Sequence, residues 1–179
     1  MGFSKVAFSA FLDTIPGVDF LFPPDVNREI VKLGSQYSPE FVCWPFKITL
    51  GEFLYMYEKF GVKYFLQATD CGPCRFGFYA PVQERILDDM GHGIKILPLY
   101  QADLGDSRWL ELYQTIGKLG GANLTQVDIA YAVRHFFLKA MHLERIRRLA
   151  GLVRAREVEK GATTKVMREL LETLKNEKN

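Results

Sequence analysis

The sequence has little of what marks exported, membrane-bound or nucleic-acid-binding proteins. Its 23 basic and 21 acidic side chains nearly cancel, so its charge gives no reason to expect nucleic acid or an anionic membrane as a partner. No apolar run approaches the roughly 20 residues that a membrane span needs, and no export signal is recognisable. We therefore expect a cytoplasmic protein that binds neither nucleic acid nor membrane.

Cysteine is also scarce. Cys43, Cys71 and Cys74 are the three cysteines among 179 residues. An odd number of cysteines without an export signal fits a reducing compartment, where they stay as thiols or metal ligands rather than structural disulfides. For Cys43 taken alone, a buried and inert side chain is the favoured interpretation.

Residues 69–79 carry the other two cysteines in the order Cys-Gly-Pro-Cys. The apolar run at residues 62–68 predicts a strand buried on both faces, and residues 80–90 have a helical pattern. The two thiols are therefore predicted to lie where a strand leads into a helix. Free N–H groups at a helix start lower the pKa of a thiol and favour the thiolate, which binds metal or attacks a disulfide.

Alternating strand and helix patterns predict an α/β domain with a parallel sheet over residues 1–122. Three further strands are predicted, at residues 18–22, 40–43 and 94–99. Residues 123–179 have helical patterns only and are predicted to form a C-terminal helical extension. Because the chain opens on a helical pattern, we expect the sheet to lack one strand, or residues ahead of Met1 to supply it.

The predicted extension carries large apolar residues and two of the three histidines. Phe136, Phe137 and Met141 would favour association if they formed one exposed patch, which predicts a homo-oligomer or another partner. His135 and His142 are separated by roughly 10.5 Å along a helix, too far to share one metal ion. We expect both histidines on the helix surface.

Two chemical interpretations of the cysteines stay open at this point. A Cys-Gly-Pro-Cys motif beside a βαβ pattern is the thioredoxin-like signal and predicts a dithiol oxidoreductase that uses Cys71 and Cys74. Asp70 in place of a tryptophan, the third cysteine and the strand–helix units upstream count against this interpretation. In the second interpretation, Cys43 joins the other two cysteines as a metal ligand.

The metal interpretation uses the topology of parallel sheets, in which strand-to-helix turns collect at one edge. Three thiolates at that edge could hold three irons of a [4Fe–4S] cluster. The other candidate metal is zinc, held by the three cysteines with His92 as the fourth ligand. His92, however, is predicted at the opposite edge of the sheet. A binding module with a structural metal and no enzyme activity is a further alternative.

Arg75, directly after Cys74, is the candidate for binding an anionic cofactor or substrate. It could also tune a cluster. An ion pair with Asp70 or Glu84 explains the same residue equally well.

Two sequence blocks resemble a known family. Residues 37–47 read Tyr-Ser-Pro-Glu-Phe-Val-Cys-Trp-Pro-Phe-Lys, and residues 70–79 read Asp-Cys-Gly-Pro-Cys-Arg-Phe-Gly-Phe-Tyr. Both resemble the activase-related proteins of the 2-hydroxyacyl-CoA dehydratase system, often called CoA-protein activases. Residues 21–24 and 156–162 are similar to that family too, so the resemblance covers nearly the whole chain. Family members are longer, and the chain corresponds to their N-terminal half.

The resemblance implies flavodoxin-like α/β lobes, a [4Fe–4S] cluster held by cysteines, and a place in anaerobic metabolism. In the family, an ATP-driven activator passes an electron to a dehydratase that removes water from a hydroxyacyl-CoA. The implied role is electron transfer or an accessory function. The implied partners are an ATP-dependent activator, a dehydratase-like chain or a second half of the same fold, together with an acyl-CoA. The sequence has no phosphate-binding glycine loop, so ATP hydrolysis is not expected of this chain.

Overall fold

The structure is a computed structural model that describes residues 5–69, 73–100 and 107–176, and these residues are mostly helical. The helices are α1 (Lys5–Leu12), α2 (Arg28–Tyr37), α3 (Trp44–Phe60), α4 (Tyr79–Asp89), α5 (Ser107–Leu119), α6 (Gln126–Arg154) and α7 (Ala162–Asn176), with a 3-10 helix at Arg75–Phe78. The two strands in this part of the chain are β1 (Tyr64–Thr69) and β2 (Lys95–Tyr100). None of the described helices combines the length and the apolar character needed to cross a bilayer.

β1 and β2 form a two-stranded parallel sheet, and α4 lies between them in sequence. Their register runs from Tyr64 opposite Lys95 to Thr69 opposite Tyr100. The strands predicted at residues 62–68 and 94–99 are thereby confirmed, and a small parallel α/β element is present. One face of β1 is buried while the other is half-buried, so the prediction of burial on both faces was too strong.

The strands predicted at residues 18–22 and 40–43 are wrong, because both segments are irregular in the structure. Pro23 and Pro24 follow the first segment and cannot donate the N–H groups that a neighbouring strand would accept. The second segment leads directly into α3. The wider sheet of a flavodoxin-like layer is therefore not confirmed within the described ranges.

The chain divides into two compact units. One comprises the described residues of Met1–Leu21 and Tyr113–Asn179, and the other those of Phe22–Leu112. The helices predicted after Thr125 are confirmed as α6 and α7, but α6 packs against α1 in the first unit. A separate helical extension is therefore not confirmed, and the predicted boundary between residues 122 and 123 stays a prediction.

The core of the unit Phe22–Leu112 is built from α3, α4 and the two strands. Its buried apolar residues are Phe46, Leu50, Phe53, Leu54, Met56, Phe65, Tyr79, Ala80, Leu87, Ile94 and Ile96. α2 packs on α3 at two glycines. A Cβ on Gly34 would collide with the carbonyl oxygen of Lys47, and a Cβ on Gly51 would collide with that of Ile30. The close helix crossing therefore requires glycine at both positions.

In the other unit, α1 and α7 both pack against α6. Phe8 of α1 contacts Phe136 of α6, with 5.2 Å between the ring centroids. The buried Lys139 of α6 donates a hydrogen bond from Nζ to the carbonyl oxygen of Leu174 at 2.9 Å. Leu174 lies near the end of α7, where free carbonyl groups favour a positive charge.

The histidines of α6 differ in their surroundings. His135 is buried, and its ring lies against Tyr131 with 4.2 Å between the ring centroids. The prediction that His135 lies on the surface was wrong, because His135 and Lys139 are one turn apart on the packed side of α6. His142 is exposed, as predicted.

Candidate functional site

Cys43 lies at the start of α3. Its backbone is extended, and its carbonyl oxygen accepts a hydrogen bond from the N–H of Phe46 at 3.1 Å, so it is the N-cap residue. Pro45 follows in the first turn, where the N–H that it lacks has no helical partner in any case. The Cys43 side chain is exposed. The interpretation of Cys43 as a buried residue is therefore wrong.

Cys74 has the corresponding position at a second helix start. It precedes the 3-10 helix, and its carbonyl oxygen accepts a hydrogen bond from the N–H of Gly77 at 3.3 Å. Oγ1 of Thr69, at the end of β1, donates to the carbonyl oxygen of Gly77 at 2.6 Å and holds the turn against the strand. The predicted position of Cys74 between a strand and a helix is confirmed, and its thiol is exposed.

The segments that carry Cys43 and Cys74 meet at Tyr79. Its hydroxyl is hydrogen-bonded to Sγ of Cys43. Its buried ring makes edge contacts with Phe46 and Phe76, with centroid distances of 5.1 and 5.2 Å. Phe46 follows Cys43 in sequence and Phe76 follows Cys74, so the ring joins both segments to the core.

The thiol and the phenol shift each other's pKa in opposite directions. The hydrogen bond with Tyr79 is the main cause that lowers the pKa of Cys43, and the positive charge of Arg75 lowers it further. Burial is the main cause that raises the pKa of Tyr79 to about 12, and the negative charges of Cys43 and Cys74 add to it. These directions correspond to a neutral Tyr79 that donates its proton to a hydrogen bond with a Cys43 thiolate.

Gln83, one turn after Tyr79, holds α4 against the first turns of α3. It is fully buried, and its Nε2 donates to the carbonyl oxygen of Phe46 at 3.1 Å and to Oγ1 of Thr49 at 2.7 Å. These bonds fix the start of α3 relative to the start of α4. The hydroxyl of Tyr79 is thereby kept next to the thiol of Cys43.

Arg75 is exposed and lies at the start of the 3-10 helix. Its Nη1 donates to the carbonyl oxygen of Phe41 at 3.5 Å. The ion pair with Glu84 is not formed in the part of the chain that the structure describes, and Asp70 lies outside that part. Arg75 therefore places a positive charge near Cys43 while its guanidinium stays accessible to solvent.

Cys71 and Gly72 also lie outside the described residues. Within residues 5–69, 73–100 and 107–176, no group of three or more histidine, cysteine or acidic side chains could hold a metal ion. The structure thus describes two of the three predicted ligands, Cys43 and Cys74. Cys43 is hydrogen-bonded to Tyr79, and the segment after Cys74 contacts the same side chain through Phe76.

His92 is remote from the cysteines, as predicted. Its ring packs against Tyr57 with 4.7 Å between the centroids. Tyr57 is near the end of α3, about 21 Å along the helix from Cys43 at 1.5 Å per residue. His92 is therefore not a fourth zinc ligand beside Cys43.

Large aromatic side chains flank the cysteines and face solvent. Phe41 is 89% exposed, Trp44 58% and Phe78 69%. Phe41 and Trp44 adjoin Cys43 in sequence, whereas Phe78 precedes Tyr79. Exposed aromatic side chains that form one patch favour contact with other molecules.

Sequence reasoning missed the roles of Tyr79 and Gln83. A signal was available, because Tyr79, Gln83 and Leu87 follow one another at four-residue steps and share the buried side of α4. A polar group repeated on an otherwise apolar helix side indicates a buried hydrogen bond. The partner of that bond, in contrast, depends on how α3 and α4 pack.

Comparison of the chain with family models, with curated proteins and with solved structures gives no match.

Proposed function

We propose that Cys43, Cys71 and Cys74 bind one [4Fe–4S] cluster in an electron-transfer or accessory component related to 2-hydroxyacyl-CoA dehydratase activation. The observation that carries this proposal is that the segments of Cys43 and Cys74, from separate parts of the chain, meet at Tyr79. Its hydroxyl is hydrogen-bonded to Cys43, and its ring contacts Phe46 and Phe76. Cys71 belongs to the same short motif as Cys74.

The described residues fit such a cluster. Cluster iron binds thiolates, and the surroundings of Cys43 lower the pKa of its thiol. Cys43 and Cys74 each precede a helix whose first N–H groups favour negative charge. Arg75 adds a cation, which offsets part of the repulsion between thiolates. A bound cluster would take up and release single electrons.

The chain's residues have separate roles in this proposal. The three cysteines hold three irons and leave one for a ligand that is not a cysteine. Arg75 binds an anionic group, for which an acyl-CoA is the proposed source. The exposed aromatic residues beside the cysteines are the proposed contact for an ATP-dependent activator, a dehydratase-like chain or the second half of the same fold.

The proposal also covers the fold around the two-stranded sheet. We place the β1–β2 pair in a larger flavodoxin-like layer, with α6 and α7 as its helical extension.

Metal analysis after oxygen-free purification tests the cluster. We expect about four irons and four acid-labile sulfides per chain and no zinc. Cys43→Ser, Cys71→Ser and Cys74→Ser should each lose most of the iron, because the proposal gives the three sulfurs equivalent roles. His92→Ala is the matched control and should keep its iron, since His92 is remote from Cys43.

The same variants separate the alternatives. A dithiol oxidoreductase would contain no iron, and its activity would survive Cys43→Ser. A structural zinc module would contain zinc without sulfide. Either result would exclude the proposed cluster.

A further inference from the structure

The side chain that contacts the candidate site from the core is Tyr79. The ring is 4% exposed, so core packing determines its position. Phe46 and Phe76 enclose it, and Gln83 ties α4 to α3 one turn further on. The hydroxyl is the polar end of an otherwise apolar side chain, and it lies at Sγ of Cys43.

We propose that Tyr79 is the positioning residue of the cysteine site, and that its hydroxyl donates a hydrogen bond to Sγ of Cys43 and sets the electron-donating strength of that sulfur. For a bound cluster this inference rests on the proposed function. For the metal-free protein, the inference depends only on the contact between Tyr79 and Cys43.

Physical reasoning gives the direction of the effect. A hydrogen bond to a ligand sulfur withdraws negative charge and stabilises the reduced cluster, which carries one more electron. The bond therefore raises the reduction potential. In the metal-free protein, the same bond withdraws negative charge from the ionised sulfur of Cys43 and makes it a weaker nucleophile. Cys74 makes no hydrogen bond to Tyr79 in the part of the chain that the structure describes, and it serves as an internal reference.

Tyr79→Phe tests the proposal, because it removes the hydroxyl and keeps the ring. In metal-free protein near pH 10, where cysteine thiols are ionised, alkylation of Cys43 should become about threefold faster, because its sulfur no longer shares negative charge with a hydrogen-bond donor. The alkylation rate of Cys74, measured by peptide mass spectrometry in the same sample, should stay within error. In iron-loaded protein, the reduction potential should move to a more negative value.

Tyr57→Phe is the matched control. It removes a hydroxyl from the far end of α3 and should leave both the alkylation rates and the potential unchanged. The melting temperature of Tyr79→Phe shows whether the core is intact. If the melting temperature falls, the ratio of the Cys43 rate to the Cys74 rate still reports the hydrogen bond, because general loosening would increase both rates.

Different results would contradict the bound cluster and the role of Tyr79. An unchanged Cys43 alkylation rate in Tyr79→Phe would overturn the role of Tyr79, whether or not the protein binds iron. A faster Cys43 rate in Tyr79→Phe, together with the absence of iron from the wild-type protein, would support the role of Tyr79 and refute the cluster. A cluster whose potential is the same in both proteins would overturn the effect of Tyr79 on the bound group.

Discussion

At the scale of single residues, the hydroxyl of Tyr79 and the sulfur of Cys43 are coupled ionisable groups. The phenol has a folded-state pKa of about 12, above its ordinary value of 10.0. Below pH 10 the phenol is neutral in both the folded and the unfolded chain. Between pH 10 and about 12 the unfolded chain loses this proton first, which favours unfolding.

We therefore predict that metal-free wild-type protein loses stability as the pH rises from 10 to about 12, and that Tyr79→Phe loses less. Denaturant unfolding at several pH values measures the difference. Cys43 does not interfere, because its folded pKa lies below 9.0 and its thiol is ionised in both states across this window. Tyr113, whose pKa burial also raises, is present in both proteins.

Tyr57→Phe is the control here as well and should keep the wild-type pH profile. Identical profiles for Tyr79→Phe and the wild-type protein would contradict the raised pKa of Tyr79.

At the scale of elements, the crossing of α2 and α3 depends on two small residues. Gly34 and Gly51 each lie where a Cβ would meet a backbone carbonyl of the opposite helix. Backbone cannot move aside as a flexible side chain does, so the helices themselves must separate. Separation opens gaps around Ile30 and Leu50, both fully buried.

Gly34→Ala and Gly51→Ala are each expected to destabilise the protein by about 1–3 kcal/mol, the usual cost of overpacking. Gly151→Ala is the matched control, because Gly151 lies within α6 and nothing approaches its Cβ position. That change should stabilise by about 0.5–1 kcal/mol. Urea unfolding of the three variants measures these differences, and a neutral Gly34→Ala would refute the close crossing.

The start of α6 is stabilised by side-chain hydrogen bonds. Thr125 and Asp128 form a reciprocal capping box, and the hydrogen bonds from Thr125 lower the pKa of the Asp128 carboxyl below 3.8. Since the folded pKa is depressed, the contribution of Asp128 is present above pH 4 and is lost as the pH falls through the folded pKa.

Asp128→Ala should therefore be less stable than the wild-type protein at neutral pH, and the difference should shrink in acid. Unfolding free energies at neutral pH and near pH 3 measure this change. If Thr125→Ala is introduced as well, Asp128→Ala should cost less, because the two residues act as a pair. Equal costs with and without Thr125 would contradict the capping box.

Local signals made the helices predictable from sequence. Pro45 and Gly61 mark the ends of α3, while Thr125 with Asp128 marks the start of α6; each signal acts within a few residues of itself. Strands are different, because a strand needs a partner elsewhere in the chain. The pattern at residues 18–22 therefore looked like a strand although no partner is present in the described structure.

For the candidate site too, the local features were predictable from the sequence and the long-range contact was not. The strand-to-helix position of Cys74 followed from its neighbours in sequence. The contact between Cys43 and Tyr79 depends on how α3 packs against α4, and Gln83 determines that packing with hydrogen bonds that no local pattern encodes.

At the scale of the whole molecule, several large apolar residues of α6 face solvent. Phe137 is 56% exposed and Met141 53%, whereas Phe136 is half-buried and contacts Phe8. The predicted patch is thus reduced to Phe137 and Met141, one turn apart. Apolar side chains on the same side of a helix favour association of copies.

We predict a dimer or larger assembly by light scattering, and a shift toward the monomer in Phe137→Lys combined with Met141→Lys. Val158→Lys is the control, because Val158 is fully exposed outside the helices. A wild-type protein that is monomeric at high concentration would refute the prediction.

The division of the chain into units has a consequence for the order of events during synthesis. The unit Phe22–Leu112 is continuous in sequence, so it can fold as soon as it has left the ribosome. α1 belongs with α6, and the whole of Phe22–Leu112 separates them. The buried residues of α1, Ala7 and Leu12, can pack against α6 only after the whole of Phe22–Leu112 has been translated, and closing so long a loop slows folding. α1 is therefore made well before the helix that it packs against, and until α6 has been translated the apolar side of α1 is exposed to chaperones.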